Sequence, residues 1–470
     1  MSWRLIVLIA LAVVLAASAA VFKLMVEPPL RAIAGFVAKT SCSEVFVADR
    51  SLQDVRASDL GGLHPAIDGA GVSAEDGVAT ARVAYLVARR AYHRPGVGCA
   101  LADRRADLPE VRLSGAPAAT HAWPEARRGD PAARADVDYD ALDAAIEHMF
   151  FDPDQDGLDV GTRAVLVVHG GDLIAERYAA GFPPERRHTG WSMSKTVTAA
   201  LAGVLVKEGA LSLDDKPAFA GWPADDPRTE IDLAHLMAMT SGLDFREAYG
   251  ESLSDVVVML YAKDDMAGFA ADKLLAHAPG DLFYYSSGTT NMISKMLMEA
   301  GGFDAASYAE FPHAALFRPL GMASPVFETD ASGVLVGSSF VYATARDWAR
   351  FGQFLLRDGV WAGERLLPEG WVDYMRTPID PPKGGAGGWG YGAQTWLNAG
   401  ADTESGLVWP DLPADIFMAS GHDGQAIAVI PSRDVVIVRL GFTRDWDAER
   451  QLGRLIRETL TALPEPADAE

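Results

Sequence analysis

From Leu5 to Phe22 the chain carries no charged residue, and Lys23 is the first to interrupt the run. In a bilayer a segment this apolar can only be helical, because a helix is the one single-segment structure that satisfies its own backbone hydrogen bonds there. Two fates fit it. Ala17-Ser18-Ala19-Ala20 offers a small-residue cleavage site for a signal peptide, whereas Leu24-Met25-Val26 extends the apolar stretch and suits an uncleaved spanning helix. Arg4 favours a cytoplasmic N-terminus, although Lys23, Arg31 and Lys39 on the far side weaken that asymmetry. Either fate implies export. Residues 1–26 form a signal peptide or membrane anchor, and the body faces the extracytoplasmic, periplasmic side, touching membrane through that segment alone.

The remainder is globular in composition, 49% hydrophobic and 22% charged over 470 residues, enough for one large core with additions or for two or three domains. A formal charge of −23 with no Lys/Arg-rich run excludes the basic stripe that nucleic acid requires. The two cysteines, Cys42 and Cys99, are expected to pair in an oxidising compartment, which would add roughly 2–4 kcal/mol. Two buried free thiols are the alternative.

Residues 27–135 read as an accessory region. Ser43–Val47 and Val78–Val87 suggest short strands. The Ala, Pro, Gly and Arg-rich stretch 115–136 reads as a linker. A compact domain follows over 136–465. Its α/β part, 136–209 and 331–465, opens with an amphipathic helix over 141–151 and a hairpin of 164–169 with 173–178; it ends with a hairpin of 426–430 with 435–440 and a closing helix over 446–463. A helical insertion, 210–330, lies between these parts.

The chemistry-bearing stretch is Gly190-Trp191-Ser192-Met193-Ser194-Lys195. If a helix begins at the serine, Ser192 and Lys195 share one face at the positive end of the helix dipole, a hydroxyl beside an amine. Serine is a poor nucleophile near neutral pH, so attack needs a base, and Lys195 can be one only if burial lowers its pKa by several units. Tyr285, in Pro279-Gly280-Asp281-Leu282-Phe283-Tyr284-Tyr285-Ser286-Ser287, is a candidate to share that work; Tyr284 would point to the other side of an extended segment.

With these residues in order, Ser192-x-x-Lys195, Tyr285-Ser286-Ser287 and His422-Asp423-Gly424, the chain resembles the serine β-lactamase and penicillin-binding-protein superfamily, on the class C side that includes esterases, D-aminopeptidases and 6-aminohexanoate-dimer hydrolases. Leu236–Leu243, Pro319–Met322 and Ala343–Gly352 add to the resemblance, which covers about 161–463. It implies an α+β, β-lactamase/transpeptidase-like fold, an antiparallel sheet flanked by helices plus an all-helical region, with the site between them. It further implies Ser192 as the acylated nucleophile, Lys195 and Tyr285 as a coupled base and acid, and backbone N–H groups of Ser192 and Gln425 as the oxyanion hole. Ser287, His422, Asp423 and Gly424 are expected to meet substrate, and neither metal nor organic cofactor is required.

The departures shift the expected substrate. Lactam-processing members carry Tyr-x-Asn and Lys-Thr-Gly where this chain has Ser287 and His422. A short hydroxyl and a titratable imidazole grip an acylamino side chain and a carboxylate less well than an amide and a fixed charge. The expectation is hydrolysis of a small ester or amide. A β-lactamase or D-amino-acid peptidase, or a non-catalytic peptidoglycan- or partner-binding module, are the alternatives.

Other motifs carry less. Asp152-Pro153-Asp154-Gln155-Asp156-Gly157 begins like a calcium loop, but Arg163 stands where the bidentate glutamate belongs, so an acidic surface turn is expected. His169 and His235 show no metal-ligand spacing. Ser194 breaks the G-x-S-x-G pattern of an α/β-hydrolase. Asp244 and Glu247 follow Leu243 in a loop and suit either a cationic substrate group or solvent.

Overall fold

The computed structural model describes residues 3–115, 136–155, 157–219, 221–380, 383–384, 388–444 and 446–465. Almost all of the expected linker lies outside the described residues, as does Asp156 of the calcium-like loop.

Seven antiparallel strands form the central sheet, in the spatial order Gly390–Tyr391, Trp396–Leu397, Phe417–Gly421, Gln425–Ile430, Val435–Gly441, Thr162–His169 and Asp172–Tyr178. Both expected hairpins are present in it. Its central strands are buried along nearly their whole length, so their alternation sorts side chains between two apolar layers rather than between core and water. Val165, Val167, Ala428 and Ile437 face the layer holding helices Tyr139–Phe150 and Gly453–Thr461. Leu166, Val168, Ile427 and Val436 face the other layer, with helices Met193–Lys207 and Ala345–Leu356. Between residues 210 and 330 short helices dominate, among them Asp255–Ala262 and Ser287–Ala300. The architecture is the α+β arrangement that the resemblance implies.

The accessory region differs from its sequence reading in one place. Ser43–Val47, expected as a strand, is the end of a helix, Glu27–Phe46. That helix continues the apolar one, Trp3–Val21, through a π turn at Phe22–Val26, and its own buried face, including Ala34, Val37, Ala38 and Cys42, holds the last turn helical against local β preference. Val78–Val87 is two strands, because the chain reverses at Ala84 and Tyr85, both in the left-handed region (φ 51° and 57°). Val78–Val83 and Val87–Arg94 are the inner strands of a four-stranded antiparallel sheet.

Helix Glu27–Phe46 lies between that sheet and helix Asp255–Ala262. At Gly35 the approach is so close that a Cβ would collide with the Tyr261 carbonyl. Val37, Ala79 and Ala91 consequently share one continuous apolar core with Leu236, Tyr261 and Val438. Cys42 and Cys99 are bonded, with Cα atoms 6.1 Å apart. Beside them Glu328 forms a buried ion pair with Lys39 and accepts hydrogen bonds from Ser43 Oγ (2.9 Å) and Cys99 N–H (2.6 Å).

Candidate active site

Ser192 stands at the N-cap of helix Met193–Lys207. Trp191 before it adopts φ 45°, a left-handed conformation costly for a bulky residue and found where the surrounding structure enforces a sharp presentation. One turn on, Lys195 is buried and its Nζ donates to Ser192 Oγ, Ser287 Oγ and the Ser338 carbonyl, each at 3.0 Å. Three acceptors match the three N–H bonds of an ammonium. Burial nevertheless lowers the Lys195 pKa to about 8, with the Glu247 carboxylate pulling the other way. A neutral lysine is thus accessible near physiological pH.

Tyr285 completes the cluster. It follows the short strand Phe283–Tyr284, in which Phe283 is buried and Tyr284 exposed, so the side expected for Tyr284 holds. Its ring centre lies 4.8 Å from Lys195 Nζ and is walled by Trp396 (5.2 Å) and Tyr391 (5.9 Å). Burial raises the phenol well above its ordinary pKa, Glu247 adds to the rise, and a hydrogen bond to Ser192 opposes it. At neutral pH the Tyr285 phenol therefore keeps its proton.

Ser287 is fully buried at the first turn of helix Ser287–Ala300, not on a substrate-facing wall. It lies between Lys195 and Glu247, donating through Oγ (2.6 Å) and N–H (2.8 Å) to the Glu247 carboxylate. Glu247 thereby neutralises the positive end of that helix. Asp244 is exposed, whereas Glu247 turns inward.

The third motif forms the turn between strands Phe417–Gly421 and Gln425–Ile430. Gly421 abuts the peptide before Trp191, where a Cβ would collide with the Gly190 carbonyl. This contact brings the turn to the nucleophile. His422 is half exposed, stacks on Tyr249 (4.8 Å) and meets Trp191 edge-on (6.0 Å). Asp423, at φ 58°, is mostly buried 3.4 Å from His422 Nε2, and burial raises its pKa. Gly424 packs against Arg439 and Trp446, with no room for a Cβ. Gln425 is the ladder partner of Gly421, and its side-chain amide is held by the Gly441 backbone.

Ser338, Tyr249, Tyr391 and Trp396 belong to the cluster but were not legible in the sequence. Ser338 contributes only a carbonyl, which no side chain advertises. At the calcium-like loop Asp152 is buried and takes Arg450 (2.6 Å) and Arg454 (2.9 Å) as partners, which gives its carboxylate a structural role.

The Beta-lactamase family matches residues 150–461, and the chain belongs to that family of serine hydrolases. A 6-aminohexanoate-dimer hydrolase of Paenarthrobacter ureafaciens is 28% identical over 267 residues, covering 52% of this chain and 64% of that protein, so the chain spans just under two thirds of that relative's length. A structure provisionally assigned as a 6-aminohexanoate-dimer hydrolase from Bacillus anthracis superposes with TM-score 0.53 at 22% identity, over 64% of this chain and 78% of the other. A class C β-lactamase point variant gives TM-score 0.51 at 16% identity, over 69% and 97%. Both structures share the fold.

Proposed function

We propose that this protein is an exported serine hydrolase that cleaves an ester or amide through an acyl-enzyme on Ser192. The carrying observation is Lys195 Nζ at 3.0 Å from Ser192 Oγ with its pKa brought down to about 8. Neutral Lys195 takes the Ser192 proton as Oγ attacks the carbonyl. The proton then passes, with Tyr285, to the leaving group, and the same pair activates the water that releases the acid. The backbone N–H of Ser192 and one from the Gly421–Gln425 turn, for which the sequence suggests Gln425, hold the oxyanion, each worth about 3 kcal/mol.

The 6-aminohexanoate-dimer hydrolase activity named for the Paenarthrobacter relative and the absorption of Ser287 into the Lys195–Glu247 network both favour esters or amides other than β-lactams. The apolar N-terminal helix supports a signal sequence or a membrane anchor, and on the anchored reading the body lies outside the cytoplasm.

Turnover of p-nitrophenyl butyrate, a linear aminohexanoate dimer and nitrocefin is the test. Clear ester or amide turnover with weak nitrocefin turnover is expected, and the reverse ranking overturns the substrate reading. A fluorophosphonate adduct that is lost in Ser192→Ala is expected by intact mass. No adduct on folded wild-type protein would favour a non-catalytic module instead.

A further inference from the structure

A cavity of about 450 Å³ begins at Trp191, one residue from the nucleophile. Tyr249 and His422 line it as well, and the Tyr249 hydroxyl lies 3.5 Å from Ser287 Oγ, which sets the cavity beside the catalytic cluster. Its opposite wall is the accessory helix Glu27–Phe46, which presents Ala32, Ile33, Phe36, Lys39 and Thr40 to it. These recur at helical spacing and mark one face. Val257, Phe340 and Phe442 continue the apolar lining. The charged groups in the lining are already engaged: Lys39 pairs with Glu328, Arg163 and Asp59 pair at 2.5 Å, and Glu44 meets Arg50 at 2.9 Å. Asp423 is close to His422. A ligand therefore meets hydrocarbon and internally neutralised pairs.

We propose that this cavity binds the hydrocarbon tail of an acyl chain, and that the substrate is an acyl ester or amide drawn from the membrane that holds the N-terminal helix. The proposal rests on the hydrolase reading given above and names its substrate class. Position argues for the membrane. The helix is continuous from Trp3 to Phe46, and its first cavity-lining residue, Ala32, comes six residues after Val26, where the π turn ends. At 1.5 Å per residue this is about 9 Å, a distance on the order of the headgroup layer. The rim agrees: Leu63 lines the cavity while 41% exposed, and Leu253, beside the lining residue Ser252, is 56% exposed.

Volume and side agree as well. A methylene takes roughly the room of a water, about 30 Å³, so the cavity accommodates a chain on the order of ten carbons or more. Tyr285, the proton donor to the leaving group, and Tyr391 and Trp396 packed against it do not line the cavity. The tail therefore belongs to the acyl half, beyond the carbonyl attacked by Ser192.

The test uses the full-length protein in phospholipid vesicles, with p-nitrophenyl esters of increasing acyl length, from two to sixteen carbons, presented in the bilayer and, in a second arm, in detergent. Each methylene that enters the cavity should raise kcat/KM about three- to fourfold until it is filled. Ile33→Trp, which occupies the cavity, should cut activity on the dodecanoyl ester at least tenfold and leave the butyryl ester within threefold of wild type. Equal chain-length gains in both arms would assign the tail but overturn the bilayer as its source. A flat or falling chain-length profile in an enzyme active on butyrate would overturn the cavity assignment itself, without recourse to the variant. No turnover of any ester would instead remove the hydrolase reading on which the proposal stands.

Discussion

Glu247→Gln tests the electrostatics of the site at the point where burial and charge oppose each other. Lys195 Nζ donates to Ser287 Oγ at 3.0 Å, and that hydroxyl donates to Glu247 Oε1 at 2.6 Å. Ammonium and carboxylate are therefore about 5 Å apart. Their attraction is about 3 kcal/mol at an effective dielectric of about 20 and under about 1 kcal/mol at the dielectric of water. At 1.36 kcal/mol per unit, that holds the lysine pKa up by roughly 0.5–2 units. Burial is the larger influence and leaves Lys195 near 8. Glutamine keeps the shape and its one oxygen can still accept the Ser287 N–H, while its NH2 takes the place of the oxygen that accepts the Ser287 and Tyr249 hydroxyls, so the substitution removes the charge together with those two accepted bonds. Without the charge Lys195 deprotonates at lower pH. The acid limb of kcat/KM for p-nitrophenyl butyrate, followed from about pH 5.5 to 9.5, should move down by roughly one unit while the plateau stays within a few-fold, since that profile reports groups of the free enzyme. A limb that stays in place, or moves up, would refute Lys195 as the titrating base opposed by Glu247.

Lys195→Met should abolish activity yet raise Tm at pH 7. The folded pKa, near 8, lies below the unfolded 10.5, so the unfolded chain holds the proton more tightly and the buried lysine costs about 3 kcal/mol below pH 8, less about 1 kcal/mol for the Ser338 carbonyl that loses its donor. The gain should shrink as pH rises from 8 toward 10.5, and a lower Tm for the variant at pH 7 would contradict this. Replacing both Cys42 and Cys99 by serine opens a loop with a sequence separation of 57 and should lower unfolding free energy by about 4 kcal/mol in urea melts, on the chain-entropy account. A loss under about 1 kcal/mol would mean that the unfolded chain is already constrained there. Gly421→Ala must push the strand end away from the Gly190 carbonyl; a displacement of about 1 Å at a reacting group costs on the order of a hundredfold. Activity within threefold of wild type, in a variant with native circular dichroism, would show that this contact does not position the turn.

The legible parts of the site are those whose chemistry is carried by side chains at fixed local spacing. Ser192 and Lys195 are one helical turn apart, and the helix that makes them neighbours is encoded by the small residues after them, Ala199, Ala200, Ala202 and Gly203, which allow it to sit in the core. Tyr285 and Ser287 were legible for the same reason. The strand Phe283–Tyr284 and the helix starting at Ser287 fix their directions within a few residues. Ser287 shows where local reasoning ends: its departure from the asparagine pattern is visible in the sequence, but its partner, Glu247, is set by a loop forty residues earlier. Ser338 offers a main-chain oxygen, and Trp396 and Tyr391 reach Tyr285 from strands whose pairing depends on the whole sheet.

The accessory region was illegible for a different reason. Its residues were judged by local β preference, and Ser43–Val47 has that preference; what decides its conformation is the helix propagating from the apolar segment upstream and the core that Val37, Ala38 and Cys42 complete on the catalytic side. A region that could fold alone would bury its apolar face against itself. This one buries it against helix Asp255–Ala262 at Gly35, against Glu328 through Lys39, and against its own sheet through the bond from Cys42 to Cys99. Breaking the Lys39–Glu328 pair by removing one partner would leave an uncompensated buried charge, a cost of about 3–5 kcal/mol, which helps hold the two regions in one arrangement. The face of the accessory helix that closes the cavity beside Trp191 is therefore held in register with the nucleophile by interactions outside the chemistry, on the same helix that leads toward the apolar segment.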